Sequence, residues 1–118
     1  MESLSPLFNQ RAVKQLDPVQ VQAMVLRSPS PFLLDVRTPQ EYGQGHIKGV
    51  ELIPLDELPA SMDRIPKGRE IICICESGSR SIAAASHLSE QGYRTSNLIG
   101  GMNRWIRAGL PIETGTDK

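Results

Sequence analysis

The residues best suited to chemistry lie in one short segment that begins at a cysteine. Cys75 ends a continuously apolar run, and an alanine-rich stretch follows a few residues later. The residues that follow the cysteine are small, polar or basic: Glu76, Ser77, Gly78, Ser79, Arg80 and Ser81. Small residues let backbone N–H groups turn inward, and such a nest at the start of a helix binds anions. Arg80 adds a positive charge and the serines add hydroxyl donors, so the pattern indicates an anion-binding loop around one sulfur atom.

The nucleophilic form of a cysteine is the thiolate, which this loop is suited to stabilise. An ordinary thiol, with a pKa of about 8.5, is only a few per cent ionised at pH 7. A helix N-terminus contributes about 0.3–1 kcal/mol to a nearby anion, which is too little alone. We expect the loop amides and Arg80 to supply the remainder, and we predict that Cys75 is an anionic nucleophile that solvent can reach. The alternative is a small core residue at a strand end, since free cysteine is often buried.

The elements that must position this loop alternate between strands and helices. The predicted strands are residues 12–16, 32–36, 50–53, 70–75 and 95–99. The predicted helices run from Asp17-Pro18 to before Pro29, and over 38–42, 55–62, 79–91 and 102–108. The pattern predicts an α/β fold with a mostly parallel sheet of about five strands and helices on both faces. Residues 71–75 are apolar throughout, as in a central strand, so Cys75 would lie at the strand end where parallel sheets bind ligands.

Length and charge set the remaining limits. At 118 residues the chain has room for one domain, which we place at 12–112 between loosely ordered tails at 1–11 and 113–118. Thirteen basic residues balance thirteen acidic ones, so no net field favours nucleic acid or an anionic membrane. The longest apolar run, 71–75, is far shorter than the ~20 residues of a spanning helix, and the first residues do not resemble a secretory leader. We expect a cytoplasmic monomer.

The cysteine spacing argues against a structural disulfide or a metal site. In a strand, the Cα atoms of Cys73 and Cys75 would lie ~6.6 Å apart, at the upper edge of disulfide geometry. We expect two free thiols, with a minor alternative in which Cys73 resolves a persulfide on Cys75. Two Cys and two His at unrelated spacings give no zinc signature, so we expect no metal and no cofactor.

Three segments resemble signatures of the rhodanese-like domain family. CESGSRS (75–81) is similar to the family's active-site loop, and LLDVRTPQEYGQGHIKGV (33–50) and GGMNRWIRAGLPI (100–112) resemble its first and C-terminal signatures. The resemblance implies a sulfurtransferase that carries a sulfane sulfur as a persulfide on Cys75. The donor would be thiosulfate or a persulfide, and the acceptor cyanide, a thiol or a protein cysteine. It implies small-molecule substrates, with a sulfur-relay protein as a further candidate partner.

Two other functions compete with sulfur transfer. Cysteine phosphatases have five residues between Cys and Arg, whereas this loop has four, Glu76 to Ser79. In the family the shorter loop goes with sulfur transfer, which leaves a phosphatase or an arsenate reductase as a minor alternative. A non-catalytic binding or regulatory module is the main rival, but family members of that kind typically lack the cysteine.

The supporting residues each have a structural and a functional interpretation. Asp35 resembles the family aspartate that helps to hold the active-site loop, or else it caps the following turn. Arg37 pairs with Glu41, which we favour, or meets an incoming anion. His46 is expected to lock a turn by a hydrogen bond, and Trp105 to anchor the core.

Glu76 departs from the resemblance. The best-known thiosulfate-using members carry basic residues in this loop, and a carboxylate would repel a dianion. We therefore expect weak binding of thiosulfate and a persulfide or a protein as the physiological donor.

Overall fold

Five parallel strands form one sheet in the order β1-β5-β4-β2-β3. The computed structural model describes residues 13–115. The strands are β1 (Lys14–Leu16), β2 (Phe32–Asp35), β3 (Glu51–Leu52), β4 (Glu70–Ile74) and β5 (Arg94–Leu98). The predicted α/β class and parallel sheet are confirmed.

The helices cover both faces of the sheet, as predicted. They are α1 (Pro18–Val25), α2 (Pro39–Gln44), α3 (Ser79–Glu90) and α4 (Gly101–Arg107), with a 3₁₀ helix over Leu55–Arg64. Asp17 and Thr38 begin α1 and α2 with reciprocal capping boxes, each followed by a proline in the first turn. Most predicted ends differ by one or two residues. The helix α2 runs two residues past its predicted end at Tyr42, and it is closed by Gly45, whose amide donates to Tyr42 O at 3.2 Å.

The sheet separates two apolar clusters, with β4 at its centre. Ile71 and Cys73 pack on one side with α3 and the 3₁₀ helix, and Ile72 and Ile74 on the other with α1, α2 and α4. All four side chains are fully buried, which explains why β4 is apolar at every position after Glu70. Trp105 is fully buried too, and its Nε1 donates to Pro111 O at 2.8 Å. Its predicted role as a core anchor is confirmed.

The C-terminal segment pairs with the turn after α2. His46 and Glu113 exchange two backbone hydrogen bonds of 2.8 Å, and the Gly115 amide donates to Gly43 O at 2.8 Å. Hydrogen-bonded structure therefore continues past residue 112, into the predicted tail, while residues 1–12 and 116–118 lie outside the described residues. His46 Nδ1 lies 2.8 Å from Tyr42 O and its ring stacks on Tyr42, which confirms its role in locking the turn.

Within residues 13–115, no helix combines the length and the apolarity needed to cross a membrane.

Candidate active site

Cys75 lies just past the end of β4, at the floor of the loop that leads into α3. Its Sγ accepts a hydrogen bond from the Gly78 amide at 3.0 Å and lies within hydrogen-bond distance of the Ser81 hydroxyl, at 3.3 Å. The loop turns through Gly78, whose φ of 102° is in the left-handed region that glycine favours. Among the described residues, one backbone amide and one hydroxyl contact the sulfur, whereas we expected several loop amides and Arg80 around it.

The expectation that solvent reaches the sulfur is wrong for this conformation. Cys75 is 0% exposed. The four-residue loop folds directly over the side chain, because the Gly78 amide is drawn down onto Sγ. Ser77 and Ser79, the outer members of the loop, are exposed and face each other with their Oγ atoms 3.4 Å apart. The outer side of this loop therefore faces solvent.

The start of α4 holds this loop from the other side. The Met102 amide donates to Cys75 O at 2.8 Å, and the Asn103 amide donates to Glu76 O at 3.0 Å. Gly101 has a φ of 58°, and a Cβ there would lie 2.3 Å from Cys75 O. Only glycine allows this close approach. This contact between Gly101 and the loop was not predicted from the sequence.

Asp35 and Arg37 form a buried ion pair that reaches the loop. The Asp35 carboxylate accepts from Arg37 Nη2 at 2.7 Å and from Nε, and it also accepts from the Arg37 backbone amide at 3.1 Å. Arg37 Nη1 then donates to Glu76 Oε1 at 3.0 Å. Asp35 therefore caps the turn and also holds the loop through Arg37, so both interpretations of this residue are found together. Burial opposes the charge of Arg37, but the hydrogen bonds and charges of Asp35, followed by those of Glu76, raise the pKa of Arg37.

The predicted pairing of Arg37 with Glu41 is wrong. The only hydrogen bond from the Arg37 side chain to Glu41 goes to the Glu41 backbone carbonyl, at 3.2 Å. The Glu41 carboxylate instead receives both terminal nitrogens of Arg80, at 2.9 and 2.8 Å. Arg37 is turned inward by Asp35, which leaves Glu41 to Arg80. The Arg80 guanidinium, which we expected to face an anion, thus forms a bidentate ion pair with Glu41 of α2. The hydrogen bond to Glu41 is the main cause that raises the pKa of Arg80, and the charge of Cys75 adds to it.

We predict that the Glu41–Arg80 pair contributes a pH-dependent part of the stability. The hydrogen bond from Arg80 is the main cause that lowers the pKa of Glu41 to about 2. A carboxyl whose pKa is depressed in the folded state stabilises above its unfolded pKa and loses that contribution as the pH falls toward its folded pKa. Glu41→Gln should therefore lower the free energy of unfolding at pH 7 by about 1 kcal/mol or less, since the pair is partly exposed. Near pH 2 the variant and the parent should melt together.

Glutamine preserves the capping box of α2, because Gln serves there as well as Glu. Exposed Glu90 provides a matched control, and Glu90→Gln should melt like the parent across the pH range. Thermal unfolding from pH 2 to pH 7 checks the prediction. An equal loss of stability at both ends of this range would show that the effect does not come from the ion pair.

Ser81 connects the sulfur to a residue that the sequence analysis missed. Its hydroxyl also contacts Asn97 Oδ1 on β5, and Asn97 Nδ2 donates to Gln15 Oε1 at 2.9 Å. Asn97 is 2% exposed. A polar residue inside a strand that is otherwise buried is a signal that could have identified it. Of the three serines proposed to line the site, Ser81 is the one that touches the sulfur within the described part of the chain.

Cys73 is fully buried two residues before Cys75, and both are free thiols. Burial, followed by the charge of Cys75, raises the pKa of the Cys73 thiol far above its ordinary value. Its thiolate is therefore strongly disfavoured, which argues against a resolving role.

Beside the loop lies a groove of about 360 Å³. Its walls include Pro54, Leu55 and Asp56 from the start of the 3₁₀ helix, and Arg37 and Arg80 from the two ion pairs. Among residues 13–115, no group of three or more His, Cys, Asp or Glu is placed to hold a metal ion.

Known proteins resemble this chain in both sequence and fold. Residues 17–108 match the family model described as Rhodanese-like domain. A protein named sulfurtransferase from Allochromatium vinosum is 39% identical over 101 residues, covering 85% of this chain and 94% of the relative. Thiosulfate sulfurtransferase GlpE from Ectopseudomonas mendocina is 33% identical over 102 residues, covering 86% and 91%.

Solved structures give the same result. A rhodanese-like domain protein from Staphylococcus aureus superposes with a TM-score of 0.78 at 29% identity, covering 86% of this chain and 100% of that one. A rhodanese-related protein from Thermoplasma volcanium superposes with a TM-score of 0.79 at 28% identity, covering 85% and 97%. The chain belongs to the rhodanese-like domain family, whose matched relatives include named sulfurtransferases.

Proposed function

We propose that this protein is a sulfurtransferase that carries a sulfane sulfur as a persulfide on Cys75. The observation that supports it best is the pair of donors on Cys75 Sγ, the Gly78 amide at 3.0 Å and the Ser81 hydroxyl at 3.3 Å. Hydrogen bonds to a charged acceptor are stronger than those to a neutral one. These two donors therefore stabilise an anionic sulfur more than a neutral thiol.

The reaction proceeds in two displacements. The Cys75 thiolate attacks the outer sulfur of thiosulfate, the bond between the two donor sulfurs breaks, and sulfite leaves with its electron pair. A persulfide anion remains on Cys75. An acceptor such as cyanide then attacks the outer sulfur and leaves as thiocyanate, which returns Cys75 to the thiolate. The loop donors stabilise the negative charge in both steps.

The buried sulfur implies that the loop opens during the reaction. The outer residues of the loop, Ser77 and Ser79, are exposed, and their hydroxyls contact each other at 3.4 Å. Lifting this short segment breaks the Gly78 hydrogen bond but leaves the carbonyls of Cys75 and Glu76 attached to α4. Loop motions of this size are fast compared with a typical catalytic turnover.

The groove beside the loop is the proposed entry for the donor and acceptor. It combines apolar walls at Pro54 and Leu55 with the guanidinium groups of Arg37 and Arg80. This lining suits a small anion that carries an organic body, such as an alkyl persulfide. The exposed cysteine of a sulfur-relay protein approaches Cys75 by the same groove in this proposal. We propose a monomer that acts in a reducing compartment, which two free cysteines fit.

Intact mass spectrometry tests the proposal directly. After incubation with thiosulfate or an alkyl persulfide, the protein should gain the mass of one sulfur atom, and cyanide should remove it as thiocyanate. A reductant wash should restore the original mass. A protein that gains no sulfur from either donor would contradict the proposal, and hydrolysis of an aryl phosphate would point to the phosphatase alternative.

We predict that Glu76→Gln improves the use of thiosulfate. The Glu76 side chain is 40% exposed and pairs with Arg37 at 3.0 Å. This contact partly offsets the repulsion that a carboxylate exerts on a dianion. Removing the charge both lifts that repulsion and frees one side of Arg37. The KM for thiosulfate should fall by about threefold, with kcat nearly unchanged, because exposed charges interact weakly.

Steady-state rates of thiocyanate formation measure this effect. Glu57→Gln, an exposed change on the 3₁₀ helix, is the matched control and should leave KM as it is. If Glu76→Gln also leaves KM unchanged, the repulsion argument fails. With an alkyl persulfide as the donor, which carries a single negative charge, the two proteins should differ less than they do with the thiosulfate dianion.

A further inference from the structure

A chain of polar side chains links Cys75 to the edge of the sheet. Ser81 Oγ lies 3.3 Å from Cys75 Sγ and contacts Asn97 Oδ1, and Asn97 Nδ2 donates to Gln15 Oε1 at 2.9 Å. Ser81 is 0% and Asn97 2% exposed, whereas Gln15 is exposed on β1. Buried polar groups are costly unless they are hydrogen-bonded. The positions of Ser81 and Asn97 therefore depend on each other.

Ser81 has one hydroxyl proton and two neighbours that can receive it. While Cys75 is a neutral thiol, its S–H donates to Ser81 Oγ, and the Ser81 hydroxyl donates to Asn97 Oδ1. Once the sulfur is an anion, it has no proton to give, and the Ser81 hydroxyl must point at Sγ. Asn97 Oδ1 then faces a lone pair of Ser81 Oγ, and this contact is repulsive.

A half-turn of the Asn97 amide removes the repulsion. Nδ2 then donates to Ser81 Oγ, and Oδ1 faces Gln15. The two ends of an amide have almost the same shape, so the turn requires no repacking. Because Gln15 is exposed, its own amide can rotate to donate to Asn97 Oδ1.

We propose that Asn97 is a positioning residue for Cys75, whose amide turns so that Ser81 accepts from the thiol and donates to the sulfur anion. The inference deepens the proposed sulfur transfer and rests on it for the persulfide. The thiolate obeys the same geometry, and it can be examined without any sulfur donor.

Other ionisable groups also lie near the sulfur. Arg80 from α3 and Cys73 from β4 interact electrostatically with Cys75, and Glu41 and Glu76 interact in the same way with Arg80. None of these four makes a hydrogen bond to Ser81 or Asn97 among the described residues. Their influence is therefore common to all the variants below.

The test is the pH dependence of Cys75 alkylation by iodoacetamide, followed on the Cys75 peptide by mass spectrometry. Asn97→Leu, which has a similar volume and no polar atoms, should move the profile to higher pH. It should also slow alkylation at pH 7 by about threefold to tenfold, the size of effect expected when a hydrogen bond to the sulfur anion is weakened. Ser81→Ala should slow it at least as much. Adding Asn97→Leu to Ser81→Ala should have no further effect, because Asn97 acts through Ser81.

Thr95→Val is the matched control. Thr95 is another buried polar residue of β5, and its Oγ1 donates to Ala85 O at 3.0 Å, away from the sulfur. This variant should lower the melting temperature and leave the pH profile in place. If Asn97→Leu does not fold, Asn97→Ser is measured in its place.

Two results would overturn the inference. One is an Asn97 variant that changes only the melting temperature, and the other is a shift that persists in full in the Ser81→Ala background. Failure of the proposed function looks different. The parent protein would then gain no sulfur from thiosulfate or an alkyl persulfide, while the alkylation profiles could still be compared.

Discussion

Replacing Cys75 by serine is expected to abolish sulfur transfer. A serine hydroxyl forms no persulfide and is almost entirely protonated at pH 7, so the first displacement loses its nucleophile. We expect thiocyanate formation from thiosulfate and cyanide to fall by at least about a thousandfold, as when other enzymes lose their nucleophile. Intact mass spectrometry should show no gain of sulfur in this variant.

The structure indicates that the serine variant folds normally. The new hydroxyl can bond to the same two groups that contact Cys75 Sγ in the parent protein, the Gly78 amide and the Ser81 hydroxyl. No buried polar group is left unpaired, so the melting temperature should change little. Cys73→Ala is the matched control, since Cys73 is buried on the same strand and takes no part in the reaction. It should lose stability through a small cavity and keep its transfer activity. Parental turnover in the Cys75→Ser variant would refute the assignment.

The fold could be predicted from the pattern of apolar residues and helix caps along the chain. Residues 70–75 are apolar at each position after Glu70, and this is the signature of a strand covered on both faces. Local signals such as Asp17-Pro18 and Thr38-Pro39 gave the starts of α1 and α2, because capping depends only on residues three apart. These features are local in the chain, and a single sequence shows them directly.

Contacts between distant segments were much harder to predict. Arg37 has a carboxylate at Asp35 and another at Glu41, both within four positions, and spacing alone could not decide between them. The answer depends on Arg80, which lies 39 residues from Glu41 and takes its carboxylate. Gly101 likewise meets the carbonyl of Cys75 only because α4 packs against the active-site loop.

The exposure of the sulfur was mispredicted for a related reason. Composition correctly indicated that the loop could bring an amide to Cys75, but it gave no measure of how closely the loop would lie. A hydrogen bond of 3.0 Å from Gly78 to the sulfur requires the loop to cover it. Stabilising the anion and exposing it are therefore opposed in this conformation, and catalysis must alternate between the two.

The second large effect is expected from Asp35→Asn. Arg37 is 2% exposed, and Asp35, at 0%, holds it through three side-chain contacts. Removing one partner of a buried ion pair costs about 3–5 kcal/mol, and we expect the lower part of this range because the half-exposed Glu76 still pairs with Arg37. Asparagine retains the shape and one acceptor, so the loss comes from the missing charge. For a domain of this size the melting temperature should fall by roughly 10–20 °C.

The exposed pair of Glu51 and Arg64 supplies the comparison. Its side chains are 35% and 46% exposed, and Glu51→Gln should cost less than about 1 kcal/mol. A double variant, Asp35→Asn with Arg37→Met, removes the buried charge as well and should recover much of the lost stability. It should not recover the rate of sulfur transfer, because the proposed entry groove then lacks the Arg37 guanidinium. Recovery of both would mean that Asp35 and Arg37 matter only for folding, whereas a melting temperature unchanged by Asp35→Asn would show that the buried charge is compensated elsewhere.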